Sequence, residues 1–470
     1  MARSDGSLEL AYTTKAVACR AARPAVSVGF GTVHVVGAGL AGLSASVELA
    51  ARGCRVQLYE ASLHAGGRCR SYLDAELGCH LDNGNHLLLS GNRAALGYLA
   101  RIGGIGTLEN HKLAAFAFID AQTGERWILR PNRGALPWWI LSPKRRVPGT
   151  RAADYLAVLA LRTAEPSATV TELIDPRSRL FRRLWEPLVV AALNTGADTA
   201  SAKLFWRILH ETLGRGAAAC RPMIPREGLS ETFVDPALAW LRTRGTVIRF
   251  GSRLRASRFD ADRVATLVFD NHSVELAPAD RLILAVPPLV ASRLIPSIRV
   301  PDLHSPIVNA HFRCSSGAEA APFIGVVGGT AQWIFRKSEV LSVTVSAAND
   351  IVDRPAGELR KLLWRDVALA YHLPSEPIPP GRIVKERRAT FLASPAQLLR
   401  RPPTKTKWSN LLLAGDYVDT GLPATIEGAI ASGVAAAKQA IEPAPVSRRS
   451  DRPPAVGDAQ SAELEAERVL

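Results

Sequence analysis

The sequence has no long hydrophobic run, few cysteines and fewer acidic than basic residues. Its best apolar candidates, residues 136–141 and 155–161, are far shorter than the ~20 residues that a membrane-spanning helix needs. The six cysteines show neither Cys-x-x-Cys pairs nor a metal spacing, which predicts reduced thiols and no metal site. Residues 1–31 lack the apolar core of a secretory signal. These absences argue against a membrane-spanning protein and a disulfide scaffold, and favour the cytoplasm.

The charge balance is strongly basic, with 58 Lys and Arg against 43 Asp and Glu, a formal net charge of +15. Basic residues cluster at 130–151, 177–183 and 385–407, and no signature of a nucleic-acid-binding fold accompanies them. We therefore expect no nucleic-acid partner, and peripheral contact with anionic lipid headgroups on the inner face of the cytoplasmic membrane. The alternative is a solvated basic surface. No feature of the sequence indicates an oligomeric state.

A glycine-rich turn follows the first apolar strand, which we place at residues 32–36. Gly37, Gly39 and Gly42 have the G-x-G-x-x-G spacing. In this motif the first glycine permits a tight turn, the second lets backbone N–H groups approach a pyrophosphate, and the third lets the next helix pack on the sheet. The turn therefore predicts a site for a diphosphate at a helix amino terminus.

The residues after the turn indicate which kind of nucleotide would bind. They predict a helix over residues 40–51 and a second strand over 55–59 that ends at Glu60. An acid at this distance from the glycines accepts hydrogen bonds from an unphosphorylated ribose. The alternative is an ordinary βαβ unit in which Glu60 only caps the next turn.

A second glycine turn follows at Gly66, Gly67 and Arg68. It resembles the GGR box of the amine oxidase and phytoene desaturase superfamily of flavoproteins. The resemblance implies that FAD is the cofactor, bound non-covalently, and that these residues lie over its diphosphate and flavin. It also implies an α/β fold with a Rossmann-type FAD-binding domain, interleaved with a substrate domain of antiparallel sheet and helices.

The loop Asp82-Asn83-Gly84-Asn85-His86 places polar groups and a glycine before an apolar stretch that we interpret as the start of a helix. One interpretation is a helix cap, in which Asn85 or Asp82 accepts hydrogen bonds from the first N–H groups. The other is that the loop lines the flavin, as a similar loop does in carotenoid desaturases, and we favour it.

The central part of the chain changes pattern several times. Residues 113–120 and 126–130 predict a hairpin in an antiparallel layer, and 152–213 has helical spacing. The segment 292–405 is rich in predicted strands. The apolar residues of the helical region 152–213 suffice for both a core and an apolar cavity, and the sequence does not show which residues form which.

The second strong motif closes the chain, where a strand ends in Gly415 and Asp416 and a helix begins near Thr425 and Ile426. In the resembled superfamily the acid binds a ribityl hydroxyl. The helix amino terminus then directs N–H groups at the part of the flavin where negative charge grows on reduction. Leu254 matches the position whose backbone meets the adenine.

Three further stretches narrow the resemblance, which covers about residues 32–440. They are GGRCRSYLDAELGCHLDNGNHLLLSGN, LWEPLVVAALNT with SAKLFWRIL, and GLPATIEGAIASG. They are similar to the squalene-associated FAD-dependent desaturases, a family of hydroxysqualene dehydroxylases of bacterial hopanoid biosynthesis. The implied reaction removes the hydroxyl of a C30 allylic alcohol, an isoprenoid lipid, with hydride from reduced flavin, and gives squalene.

The resemblance implies a set of site residues and domain limits. We expect catalytic roles for His86, with Asp82 orienting it, or for Asp419. We place the FAD-binding domain at 32–104, 222–291 and 406–441, the substrate domain at 105–221 and 292–405, a disordered extension at 1–31 and a tail at 442–470. The expected cofactor-binding residues are Gly37, Gly39, Leu40, Ala41, Gly42, Glu60, Ala61, Gly66, Gly67, Arg68, Asn83, Gly84, Asn85, His86, Leu254, Gly415, Asp416, Thr425 and Ile426.

Three other functions stay open at this point. A flavin amine oxidase often presents an aromatic residue before the closing motif, where this chain has Thr425, and no cysteine follows Cys314 to make a covalent flavin link. A carotenoid desaturase would act on an equally apolar substrate. A flavin-binding lipid carrier without turnover is the non-enzymatic alternative.

Overall fold

A computed structural model describes residues 31–295, 297–314 and 321–442. The extension predicted at 1–31 and the tail predicted at 442–470 lie outside the described residues, apart from Gly31 and Glu442. The described strands are β1 Val33–Val36, β2 Val56–Tyr59, β3 Ser71–Asp74, β4 Cys79–Asp82, β5 Leu88–Leu89, β6 Leu108–Asn110, β7 Phe116–Asp120, β8 Arg126–Leu129, β9 Pro222–Pro225, β10 Val247–Arg249, β11 Leu254–Asp260, β12 Arg263–Phe269, β13 Ser273–Glu275, β14 Arg281–Leu284, β15 His304–Arg313, β16 Phe323–Val327, β17 Trp333–Lys337, β18 Val340–Val345, β19 Gly381–Phe391 and β20 Leu411–Leu413.

The helices are distributed between and after these strands. The α-helices are α1 Leu40–Ala51, α2 Arg93–Ile102, α3 Val170–Leu173, α4 Glu186–Leu193, α5 Ala202–Glu211, α6 Ala217–Cys220, α7 Asp235–Arg242, α8 Pro288–Leu294, α9 Ala356–Tyr371, α10 Pro395–Leu398 and α11 Ile426–Ala440. Gly104–Thr107, Trp138–Leu141, Ala152–Thr163 and Leu213–Arg215 are 3-10 helices, and Phe181–Trp185 and Ser230–Val234 are π-helical. Within the described ranges, no helix has the length and apolar character needed to cross a bilayer.

A parallel five-stranded sheet, in the order β10-β2-β1-β14-β20, forms the nucleotide-binding half predicted from the sequence. Val33 in β1 lies opposite Val56 in β2 and Arg281 in β14. β1 and most of β2, β14 and β20 are buried, as in sheets that are covered on both faces. Because the strands are parallel, their carboxyl ends meet at one edge, where ligands bind in such sheets.

The first and last helices of the described chain pack closely against each other beside this sheet. A Cβ atom on Gly433 would lie 2.1 Å from the Ala41 carbonyl oxygen, so α11 approaches α1 as closely as only glycine allows. The Ser44 hydroxyl donates a hydrogen bond to the Ile430 carbonyl oxygen at 3.2 Å. The packing holds the closing motif against the first glycine turn, although almost 400 residues separate them.

The second large sheet has seven strands in the order β19-β15-β18-β17-β16-β7-β8. The predicted hairpin is confirmed, because β7 and β8 pair antiparallel. The predicted antiparallel layer has one exception, because β7 pairs parallel with β16, with Ala117 opposite Ile324. Parallel pairing requires a long connection rather than a tight turn, and here about 200 residues separate the two strands.

Two strands of this sheet, β16 and β19, were not predicted. β19 carries Arg382, Lys385, Arg387 and Arg388 and lies at the edge of the sheet. Charged edge strands lack the apolar alternation by which strands are recognised, and they protect a sheet from pairing with other chains. β19 falls partly within the basic cluster at 385–407, so a run that we interpreted only by its charge belongs to the sheet.

The predicted helical region is confirmed, although its helices are short and irregular. Tyr155, Phe181, Trp185 and Phe205 are buried in one apolar core with the inner residues of the large sheet. The expectation of a helix directly after His86 is wrong: β5 follows, and it pairs with β9 with Leu88 opposite Met223. Pairing with a distant strand overrides the local pattern here.

The described chain up to Ala440 forms one compact unit. The five-stranded and seven-stranded sheets have separate apolar cores. The division into an FAD-binding and a substrate domain, with the limits given above, stays a prediction.

Candidate functional site

The first glycine turn leaves no room for side chains at two of its three glycines. Gly37 has φ of +105°, and a Cβ atom there would lie 2.3 Å from the Ala285 carbonyl oxygen. A Cβ atom on Gly42 would lie 1.8 Å from the Gly37 carbonyl oxygen. At Gly39, by contrast, no described atom lies within 4 Å of the Cβ position. The space above Gly39 is where the motif places a diphosphate.

The second glycine turn lies directly against the first. The Gly66 N–H donates a hydrogen bond to the Ala38 carbonyl oxygen at 2.8 Å, and Gly66 forms an isolated parallel bridge with Gly39. A Cβ atom on Gly67 would lie 3.5 Å from Gly39 Cα. The structure therefore brings together the two turns that the sequence analysis singled out.

Glu60 lies at the carboxyl end of β2. Its Oε2 accepts a hydrogen bond from the Ala38 N–H at 2.7 Å, and its Oε1 accepts one from the Ser62 N–H at 2.9 Å. The Ser252 N–H donates to the Glu60 carbonyl oxygen at 2.8 Å, which holds the start of β11, with Leu254, close to Glu60. The carboxylate thus fixes the glycine turn, and its role toward a ribose stays a prediction.

An ion pair joins the second glycine turn to the closing motif. Arg68 Nη2 lies 2.8 Å from Asp416 Oδ1, and Arg68 also donates to the Ala389 carbonyl oxygen. The Asp416 side chain is only 9% exposed, and its negative charge raises the pKa of the Arg68 guanidinium. The ion pair therefore keeps the Arg68 guanidinium charged and joins the second glycine turn to the closing motif.

The closing helix is fixed at its amino terminus by two side chains. Thr425 Oγ1 accepts a hydrogen bond from the Gly428 N–H at 3.2 Å. The Glu427 carboxylate accepts hydrogen bonds from the Ala94 and Ala95 N–H groups, at 2.9 and 2.8 Å, and so caps α2. Burial raises the pKa of Glu427. The sequence does not predict this role of Glu427, because no local pattern indicates a partner more than 300 residues away.

Asp82 is held by several partners at once. It pairs with Lys337, which the sequence analysis did not identify, and it accepts hydrogen bonds from the Leu229 N–H at 2.9 Å and the Ser71 hydroxyl at 2.7 Å. Among the described residues, no hydrogen bond joins Asp82 to His86. Asp82 therefore anchors the loop that precedes His86.

A polar network attaches the same loop to the seven-stranded sheet. The Asn85 amide donates to Thr344 Oγ1 at 3.0 Å, the Thr344 hydroxyl donates to Asn309 Oδ1 at 2.8 Å, and the Asn309 amide donates to the Asn83 carbonyl oxygen at 3.2 Å. Asn85 Oδ1 is buried and has no hydrogen-bond partner among the described residues. An orphaned buried acceptor fits a loop that contacts a bound ligand.

His86 is partly buried and forms no hydrogen bond with any described residue. The pKa of His86 is lowered to about 4, mainly by burial; Asp82 opposes this shift, and the positive charges of Lys337 and Arg68 contribute to it. The imidazole is therefore neutral at pH 7 and has free ring nitrogens.

Asp419 lies apart from these groups, on a turn before the closing helix. Its side chain is 61% exposed and 3.9 Å from Arg401, and it accepts a hydrogen bond from the Gly421 N–H at 3.1 Å. The structure brings the two glycine turns, Glu60, the Arg68–Asp416 pair and the helix amino terminus to one sheet edge. Leu40, Ala41, Ala61, Gly415 and Ile426 are chain neighbours of these residues.

These features define a dinucleotide-binding fold of the oxidoreductase class. A model of the family described as flavin containing amine oxidoreductase matches residues 40–441. The chain belongs to that family and is a flavin-dependent oxidoreductase. The predicted α/β class and the flavin are thereby confirmed.

Relatives that match over nearly their whole length show which members of the family the chain resembles. A hydroxysqualene dehydroxylase of Zymomonas mobilis is 46% identical over 408 residues, covering 87% of this chain and 98% of the relative. A hydroxysqualene dehydroxylase of Rhodopseudomonas palustris is 45% identical, covering 86% of this chain and 97% of the relative. The crystal structure of an oxidoreductase from Methanosarcina mazei has a TM-score of 0.66 at 14% identity, covering 87% of this chain and all of that one, and it supports the fold.

Proposed function

We propose that the protein binds FAD non-covalently and converts hydroxysqualene to squalene by reductive dehydroxylation, in squalene and hopanoid biosynthesis. The observation that carries this proposal is the similarity, over nearly their whole length, to relatives named hydroxysqualene dehydroxylase. The absence of any helix able to cross a bilayer in the described chain is consistent with an enzyme that meets its lipid substrate at a membrane surface. We place it at the cytoplasmic face.

The residues at the sheet edge can be assigned to successive parts of an FAD molecule. The open space at Gly39 and the adjacent second glycine turn would hold the diphosphate. Glu60 would accept hydrogen bonds from the adenosine ribose, and Asp416 from a ribityl hydroxyl. Asn85 Oδ1, which lacks a partner, would meet the flavin side of the site.

The overall chemistry balances as an exchange of hydroxide for hydride. The allylic C–O bond breaks, and its oxygen leaves with the bonding electrons and takes up a proton from the medium to form water. FAD, when bound in its reduced form, supplies the hydride that forms the new C–H bond. An external two-electron donor must then reduce the flavin again.

His86 is our candidate for contact with the leaving hydroxyl. Because its imidazole is neutral at pH 7, it would donate an N–H hydrogen bond to the departing oxygen rather than deliver a proton as a cation. His86→Ala should lower the rate of hydroxysqualene turnover per bound flavin by about 100-fold or more. His86→Gln, which keeps an N–H donor, should recover part of the loss.

Single-turnover measurement tests the reaction itself. Anaerobically reduced enzyme mixed with hydroxysqualene should form squalene as its flavin absorbance returns. No squalene and no reoxidation would refute the proposal.

The alternative functions predict other outcomes for oxidised enzyme. Bleaching by a polyamine would favour an amine oxidase, and bleaching by a phytoene-type polyene would favour a desaturase. Retention of lipid with no change of flavin in either redox state would favour a carrier.

A further inference from the structure

Five large apolar side chains stand exposed within one short region of the chain. Leu136, Trp138 and Leu141 are 80%, 55% and 68% exposed, and Leu156 and Leu159 are 59% and 53% exposed. We call these five residues the apolar patch. The two 3-10 helices that carry most of them, Trp138–Leu141 and Ala152–Thr163, contact each other.

The second of these helices has an apolar outer face. In a 3-10 helix, residues three apart lie on the same face. Tyr155 and Leu161 form the buried face, whereas Leu156 and Leu159 point outward together with exposed Ala153, Ala157 and Ala160. A helix on the surface of a soluble protein normally presents polar residues to solvent. The outer side of this helix is thus unusually apolar, although it also carries Asp154, Arg162 and Thr163.

The patch rests on a well-packed base. The rings of Trp139 and Tyr155, both buried, meet edge to face with centroids 5.4 Å apart. The Val147 N–H donates a hydrogen bond to the Tyr155 hydroxyl oxygen at 2.9 Å. The exposure of Trp138 and Leu156, each next in sequence to a residue of this base, thus follows from a fixed packing arrangement.

The charge around the patch has one sign. Between residues 130 and 163 the chain has seven Arg and Lys and one acid, Asp154. The Asp154 carboxylate accepts a hydrogen bond from the Arg151 N–H at 2.7 Å. Within the described residues, none of the seven cations pairs with a carboxylate, and the Arg145 guanidinium lies 5.0 Å from the centroid of the Trp138 ring. Exposed apolar residues accompanied by cations without carboxylate partners complement an anionic lipid surface.

In the other two basic clusters, several basic residues pair with carboxylates or are buried. In the 177–183 cluster, Arg183 is buried and pairs with Asp120 and Glu125. In the 385–407 cluster, Arg387 and Arg400 pair with carboxylates, and Arg401 is buried. Near the patch, five exposed large apolar side chains accompany cations without carboxylate partners, whereas the described residues of these two clusters expose one such side chain, Leu399.

We propose that the apolar patch and its surrounding cations dock the protein on an anionic lipid bilayer, with the leucines and Trp138 at the boundary between headgroups and acyl chains. The proposal deepens the proposed function, since it names the surface through which a membrane-dissolved substrate would be approached. A second copy of the chain is a poorer occupant, because a symmetric contact would place the same cations face to face.

Binding to lipid vesicles tests the docking surface without substrate. The flavin-loaded protein should sediment with vesicles of phosphatidylglycerol and phosphatidylcholine, and much less with phosphatidylcholine alone. Leu156→Ser with Leu159→Ser should weaken this binding about tenfold or more. The matched control, Leu73→Ser with Leu399→Ser, replaces leucines that are 63% and 78% exposed outside the patch, and should bind as the parent does.

Reversing the charge of basic residues near the patch tests the electrostatic contribution to vesicle binding. Lys144→Glu with Arg151→Glu should weaken binding to anionic vesicles about tenfold or more, and added salt should reduce the difference between this variant and the parent. Far-ultraviolet circular dichroism and flavin content show that each variant is folded.

The outcomes distinguish this proposal from the proposed reaction. If the parent does not bind anionic vesicles, or the patch variant binds as well as the parent, the docking proposal is overturned, whatever the reaction. Self-association that the leucine substitutions abolish, without vesicle binding, would also overturn it. Normal vesicle binding with no conversion of hydroxysqualene in detergent would instead refute the reaction alone.

Discussion

The nucleotide-binding edge and the seven-stranded sheet build their polar sites in opposite ways. At the edge of the parallel sheet, the predicted cofactor site consists largely of backbone: glycines that permit close approach and an N–H group held by Glu60. In the seven-stranded sheet, the polar network consists of side chains, Asn309 and Thr344, that contact a loop far away in the sequence. The two glycine turns and Glu60 are encoded locally, whereas the side-chain network is encoded only by the complete fold.

The largest effect should come from a methyl group at the nucleotide edge. Gly42→Ala would place a Cβ atom 1.8 Å from a backbone oxygen, so either helix α1 or the turn must move. We expect a loss of about 3 kcal/mol or more in the free energy of unfolding, together with loss of FAD, measured by denaturant unfolding and flavin absorbance.

Gly39→Ala is the matched control, because its φ of −73° suits alanine and its Cβ position is empty. The apoprotein should keep its stability to within about 0.5 kcal/mol, while FAD binding weakens. If both variants lose stability equally, the space at Gly39 is not the diphosphate site.

The buried His311 in the seven-stranded sheet should make the stability of the protein depend on pH. Burial lowers the pKa of His311 to about 4, opposed by Asp82 and assisted by Lys337, and Nδ1 of this imidazole lies 2.8 Å from the Ser342 hydroxyl oxygen. The unfolded chain then binds more protons than the folded chain between pH 4 and the ordinary pKa near 6.5, so stability falls as the pH falls through this window.

The size of this effect follows from the shift. Between pH 7 and pH 5, His311 should account for a loss of about 2 kcal/mol in the free energy of unfolding. His311→Gln should show a correspondingly smaller loss over the same interval, whatever its stability at pH 7. His210→Gln, a control whose side chain is 61% exposed, should keep the parent's pH dependence. Equal slopes for the parent and His311→Gln would contradict the assignment.

Glu60 tests whether the acid at the end of β2 serves the cofactor or only the turn. Glu60→Ala should weaken FAD binding by roughly 1 to 3 kcal/mol, measured by titration of the apoprotein. Glu60→Gln keeps an oxygen acceptor for one of the two N–H groups that Glu60 now binds. It should therefore preserve the structure of the glycine turn better than it preserves the affinity for FAD. If both variants bound FAD as tightly as the parent, the role of Glu60 would be limited to holding the glycine turn.

The sequence predicted the nucleotide edge almost to the residue, because its signals lie within a 40-residue unit. Strand β1, helix α1 and Glu60 occur where spacing placed them. It did not predict that Lys337 pairs with Asp82 or that Glu427 caps α2, because each contact joins residues more than 250 positions apart. A signal for Asn309 did exist: a polar residue within a largely apolar strand, IVNAHF, requires a partner when it is buried.

The smallest effect should come from the network beneath the Asp82–His86 loop. Thr344→Val keeps the shape of the side chain but removes the acceptor for Asn85 and the donor to Asn309. We expect a loss of about 1 to 2 kcal/mol in stability and faster hydrogen exchange in the loop, with little change in FAD affinity because the diphosphate contacts are untouched. Thr344→Ser, which retains the hydroxyl, should behave as the parent. If Thr344→Val weakened FAD binding as much as Glu60→Ala, the two regions would act as one site, and the contrast between a backbone-encoded edge and a side-chain network would fail.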